Sequence, residues 1–187
     1  REEVMGFDTG PGMSLLDETC RAIWGIYMDQ DGIKTEQGNV NTELLNKLMQ
    51  CEYITQKPPK STGRDRFGSD MVKQVIQKNP SITSKDLLRT FCAFTAKSIA
   101  VNLQSILNFS KLNPRLIISG GGVHHPVLMD DIFKYVPILN IQTADEYGIK
   151  STIKESLLMA VLAVARMQNL PANMPSVSGA YRPTALG

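Results

Sequence analysis

One carboxylate stands beside a turn in "EVMGFDTGPGMSLLDE" (residues 3–18), where Asp8 ends an apolar run and Gly10, Pro11 and Gly12 follow. An acid at the C-terminal end of a strand, next to a glycine turn into a helix, lies where ligands bind in open α/β sheets. Asp8 can there take a proton from an attacking hydroxyl or hold a metal; alternatively it caps the following helix, for which Thr9 is equally suited. A second stretch, "LIISGGGVHHPVLMDDI" (116–132), sets Gly120, Gly121 and Gly122 between an apolar strand and a helix opened by Pro126. Glycines let the backbone approach a ligand, and free N–H groups at a helix N-terminus attract phosphate. The stretch lacks the lysine of a P-loop and the spaced glycines of a dinucleotide fingerprint, so a turn that needs positive φ accounts for it equally well. His124 and His125 adjoin it, but neighbouring side chains rarely converge on one ion and no cysteine or third histidine is near. A metal site is not expected there.

The elements that must position these groups follow from periodicity. A strand is expected at about Val4 to Asp8, then a helix through Leu15, Leu16, Thr19, Cys20, Ile23 and Trp24 that Gly25 and "DQDG" (29–32) end. A short helix at 41–50 precedes "KPPKSTGR" (57–64), which Pro58 and Pro59 keep extended, and another covers 66–78. Asn79-Pro80 breaks the chain, and Thr83 with Asp86 has capping-box spacing ahead of a long helix to about Asn108. Strands at 115–119 and 138–143 flank the helix that begins near Pro126, and 145–148 reads as a turn. The segment 152–168 is apolar on almost every side, which predicts a helix buried from two directions. From Leu170 the Pro-rich tail reads as ordered loop packed on the body through Leu170, Val177 and Tyr181. Strands alternating with helices predict one α/β domain.

Bulk properties narrow the function classes. A chain of 187 residues can bury roughly 70% of its unfolded surface. With 42% hydrophobic and 20% charged residues it has a globular composition, and no apolar run approaches the roughly 18 residues of a membrane span. The net charge of +2 comes from dispersed Lys and Arg, without a basic run or interleaved aromatics, which argues against nucleic acid. Cys20, Cys51 and Cys92 are too far apart for a metal knuckle and odd in number, so they read as reduced thiols of a cytoplasmic chain. "REEVMG" has neither a leader pattern nor an initiator methionine, and the chain is expected to begin inside a longer one.

With "PPKSTGR" (58–64) between them, the two stretches resemble the C-terminal part of the 1,6-anhydro-N-acetylmuramic acid kinase family, of the actin- and hexokinase-like ATPase superfamily. The matching residues also include Leu16 and Asp17, Pro126 and Leu128-Met129, "TADEYGI" (143–149), "KES" (154–156), "LPANMPSVSGA" (170–180) and "RPTALG" (182–187), in the family's order from end to end. The resemblance implies the second lobe of an actin-like (ribonuclease H-like) ATPase fold lacking its first strands, with the N-terminal lobe absent. It implies ATP-dependent opening of a 1,6-anhydro sugar, in which water attacks the anomeric carbon while the 6-oxygen takes the γ-phosphate. Asp8 matches the general base, with Thr9, Gly10 and Asp17 on the substrate side; Gly120, Gly121, Gly122 and His125 fall on the nucleotide side. Lys60 and Arg64 meet phosphate or sugar, or belong to a solvated loop. Glu155 reaches magnesium or its waters, or is an exposed carboxylate at a helix start. Asp145 and Glu146 are expected to stabilise their turn. Met13 and His125 stand where the family usually has asparagine. Anhydro-N-acetylmuramic acid is the family's usual substrate, levoglucosan that of a related branch. Little turnover is expected of the chain alone. The other readings are a non-catalytic nucleotide- or sugar-binding remnant, and a fragment that pairs as a homodimer through an open sheet edge.

Overall fold

The computed structural model describes residues 4–106, 114–137, 140–150 and 153–186. Helix α1 (Ser14–Trp24) ends where Gly25, at φ +67°, turns left-handed and donates its N–H to the Arg21 carbonyl, while the Ile26 N–H donates to that of Cys20. Short α2 (Ile33–Glu36) is followed by α3 (Thr42–Met49), whose N-cap Asn41 accepts the Leu44 N–H, and then by α4 (Glu52–Thr55) and α5 (Ser69–Lys78). The longest helix, α6 (Ser84–Ile106), is the axis of the core, with Leu88, Phe91 and Phe94 fully buried. Half of the expected capping box forms at its start: Thr83 Oγ1 accepts the Asp86 N–H, while the Asp86 carboxylate turns to the Asn39 N–H.

Strand β1 (Arg115–Ile118), helix α7 (Pro126–Tyr135) and strand β2 (Asn140–Thr143) make one βαβ unit. The strands pair in parallel, Arg115 against Asn140 and Ile118 against Thr143. Helix α7 lies on α6, where Arg89 and Asp131 form a two-pronged ion pair at 2.5 and 2.8 Å. The architecture is therefore mixed α/β, mostly helical, with a small parallel sheet. No helix among the described residues is long and apolar enough to cross a membrane.

Three expectations are corrected. Residues 4–8 form no strand, because among the described residues the sheet contains only β1 and β2 and offers them no ladder partner. Helix α8 (Lys154–Met167) lies where a buried helix was expected, yet none of its residues is buried. The tail divides: α9 (Pro175–Ser178) seats Val177 against Gly6, where an added Cβ would lie 2.5 Å from Val177 Cγ1, whereas Leu170 and Tyr181 are exposed. The expected helix end at 107–108 and strand start at 138–139 lie outside the described residues.

Candidate functional site

The segment 4–8 delivers Asp8 to a recess of about 160 Å³, shared with Gly10, Gly12, Ser14, Thr62 and Arg64. Asp8 does not cap α1, and neither does Thr9: the N-cap is Met13, without a side-chain bond. Instead Asp8 Oδ2 accepts from Ser61 Oγ and from the Thr62 N–H, each at 2.9 Å. Its backbone is held on both sides, the N–H donating to the Lys60 carbonyl at 3.2 Å and the carbonyl accepting the Tyr53 hydroxyl at 2.9 Å. The Thr9 carbonyl accepts from Asn102 Nδ2 of α6. The two turn glycines answer different needs. A Cβ at Gly10 would lie 2.6 Å from Ser98 Oγ, so its absence lets the turn press on α6; Gly12, at φ +56°, has open space around it.

Of the two loop cations, only Arg64 lines the recess, with its guanidinium 3.3 Å from the Glu18 carboxylate. Lys60 is buried, and its ammonium donates to the Tyr53 and Ile54 carbonyls at 3.0 and 3.2 Å, between the rings of Phe7 and Tyr53. Burial pulls its pKa below the usual lysine value. Its donors satisfy carbonyls at the end of α4, so Lys60 braces the loop and does not line the recess.

A second cavity, of about 250 Å³, opens across the N-terminus of α1 and is lined by Met13, Asp17, Asp29, Gly121, His124 and His125. Burial pushes the Asp17 carboxyl up, against the pull of Arg21 and Arg64. Gly120 adopts φ +96°, and a Cβ at Gly120 or Gly121 would meet nothing within 4 Å, so this edge of the cavity is bare backbone. Gly122 lies under Leu128 and Met13, 3.5 Å from where its Cβ would be.

His125 is buried and caps α7: its Nδ1 accepts the Leu128 N–H at 3.2 Å. That acceptor role assigns the proton to Nε2, which lies 3.4 Å from Thr35 Oγ1 and 3.8 Å from Asp29 Oδ2. Asp29 is itself saturated by the Lys34 and Thr35 N–H groups and the Thr35 hydroxyl. Burial holds the His125 pKa below 6.5, with Asp29 opposing. An asparagine amide oxygen makes the same cap, so the family's usual residue and this histidine suit one backbone task.

Glu155 is exposed in the first turn of α8, next to Lys154, whose ammonium donates to Ser119 Oγ just past β1. It lines neither cavity. Among the described residues no group of three or more His, Cys, Asp or Glu could hold a metal. Glu146 takes the turn-stabilising role expected of it, accepting the Thr143 N–H at 2.7 Å in a capping box over Ala144–Tyr147.

The model of the anhydro-N-acetylmuramic acid kinase family matches residues 1–187. The chain belongs to this family. It is 35% identical over 187 residues to the anhydro-N-acetylmuramic acid kinase of Clostridioides difficile (strain 630), covering 100% of this chain and 49% of the relative. The kinases of that name from Synechococcus elongatus and Pasteurella multocida are 35% and 36% identical, with 100% of this chain covered and 50% and 49% of theirs. The chain thus spans about half the length of the curated relatives it matches, and corresponds to their C-terminal part.

Family membership and geometry meet at Asp8, Gly12, Arg64 and Gly121, which line the two cavities. Sequence reasoning missed three residues: Ser61, which holds Asp8, and Asp29 and Thr35, which back His125. Ser61 had a signal, its place inside "PPKSTGR". Asp29 read only as part of a turn, because the histidine it backs lies far away in sequence.

Proposed function

We propose that this chain is the catalytic-base and nucleotide-cradle part of an ATP-dependent anhydrosugar kinase, the second lobe of an actin-like fold, acting in the cytoplasm in peptidoglycan recycling. The carrying observation is a carboxylate held by two donors at the mouth of a recess, beside a glycine-edged cavity. Asp8 takes a proton from water as the water oxygen bonds to the anomeric carbon; the bond from that carbon to the 6-oxygen breaks, and the 6-oxygen takes the γ-phosphoryl group from ATP. The products are the 6-phosphate of N-acetylmuramic acid and ADP. Phosphoryl transfer depends mainly on positioning and charge neutralisation. The α1 N-terminus lies between recess and cavity without a side-chain cap; the Ser14 N–H is taken by the Pro11 carbonyl, so what this end offers a phosphate is chiefly the positive pole of the helix. Arg64 on the recess side and the bare backbone at Gly120 and Gly121 on the cavity side fit a sugar and a nucleotide respectively.

Magnesium bound to a nucleotide uses one or two protein carboxylates together with the phosphates. Glu155 is the one proposed here; no cluster among the described residues would hold the ion without a nucleotide.

Titration calorimetry with Mg-ADP tests the cradle. Saturable binding is expected for the wild-type chain, with at least a tenfold loss in Gly121→Asp, whose side chain enters open space and sets a negative charge against phosphate. A folded chain that does not bind, or equal binding by the variant, defeats the nucleotide assignment.

A further inference from the structure

We propose that Ser61 is a positioning residue for Asp8, which with the Thr62 N–H clamps Oδ2 so that Oδ1 is the oxygen presented to the attacking water. This rests on the reading of Asp8 as general base. A free carboxylate swings about a soft χ2, and its two oxygens are equivalent until the surroundings distinguish them. Around Asp8 they are distinguished. One side-chain donor and one backbone donor, from consecutive residues, converge on the same oxygen at equal distances of 2.9 Å. Hydrogen bonds to an ionised acceptor are the strong kind, so the pair fixes the carboxylate plane.

The clamp is itself braced. Lys60, next to Ser61, is tied through its ammonium to the end of α4 and through its carbonyl to the Asp8 N–H, and Tyr53 of α4 holds the Asp8 carbonyl. Carboxylate and clamp therefore move as one body. Thr62 carries a further mark: its Oγ1 is buried without a hydrogen-bond partner, alone in this among the described buried side-chain atoms. A stretch that leaves a hydroxyl unsatisfied is held in place by other demands, and the bonds to Asp8 are the demand visible here.

With two donors already on Oδ2, the gain comes from aim. With Oδ2 occupied, the proton goes from water to Oδ1 while the water oxygen bonds to the anomeric carbon; Ser61 keeps its own proton throughout. Misdirecting a reacting group by a fraction of an ångström commonly costs one to two orders of magnitude in rate.

The test uses the full-length kinase that contains this chain, in three variants. Ser61→Ala is expected to lower kcat about 10- to 100-fold, with the sugar KM and Mg-ADP affinity unchanged, and Ser61→Thr, which keeps the hydroxyl, to recover most of it. Asp8→Asn abolishes turnover if Asp8 is the base. Should Asp8→Asn be inactive while Ser61→Ala keeps kcat within about twofold, or Ser61→Thr be as impaired as Ser61→Ala, the clamp is refuted and the base assignment stands. Turnover by Asp8→Asn refutes both. Ser61 is exposed, and unchanged Mg-ADP affinity checks that the alanine variant is folded.

Discussion

Helices α6 and α8 are both rich in apolar residues, yet twelve residues of α6 are buried and none of α8. What differs is the cover. Helix α6 is packed by α1, α3, α4 and α7, which come from both sides of it in the sequence, whereas α8 exposes Leu158, Val161 and Val164 by half or more of their surface. An apolar helix states what it needs to be buried against; only the rest of the chain decides whether that layer is there. Uncovered apolar patches of this kind mark interaction surfaces. Here the relatives are about twice as long, and we propose that their other half supplies the cover.

The contrast is broken most sharply by paired truncations. Phe91→Ala in α6, fully buried, is expected to cost about 3–5 kcal/mol in urea unfolding, and Leu158→Ala in α8, 51% exposed, about 0.5 kcal/mol or less. Similar losses at both sites, measured at a dilution where the chain is monomeric, would mean that α8 is covered within the chain itself. A smaller effect sharpens the same point: sedimentation should show the mass of the isolated chain rising with concentration, and Leu158→Glu with Val161→Glu should return it to monomer. Monomeric wild-type chain at every concentration would deny that the α8 face drives a homodimer.

The smallest effect belongs to the boundary between the well-packed region and the glycine cavity. His125 is held below 6.5 by burial, so the unfolded chain binds a proton there before the folded one does. Stability is therefore complete above about pH 6.5 and falls as the pH drops from there towards the folded-state pKa. Thermal melts between about pH 7.5 and 5.5 should show this drop, and His125→Asn, which keeps the cap on α7, should remove that part of it. Asp17, whose pKa is raised, acts with the opposite sign but at lower pH, above 3.8.

Much of the helical skeleton was legible because its signals are local. Gly25 ending α1, Asn41 opening α3 and Pro126 opening α7 act within a few residues of where they stand. The strand at 4–8 was not, since a strand exists only through a neighbour, and the burial of 154–167 was not, since cover is equally non-local. The site divides along the same line. Asp8, Arg64 and the glycines announced themselves by type and motif, whereas the duties of Lys60 and Ser61 depend on α4 and Asp8 lying beside their loop.

The notch at Gly6 has a consequence for how the site is made and lost. Val177 fills the space where a side chain would be, two residues before the acid, so the opposite ends of the sequence fasten each other. On the ribosome the segment bearing Asp8 emerges long before its fastener. A protease that nicks the exposed stretch near Leu170 and releases the C-terminal piece would remove that fastener, leaving the segment to its bonds with Lys60 and Tyr53, without touching a residue that lines the recess.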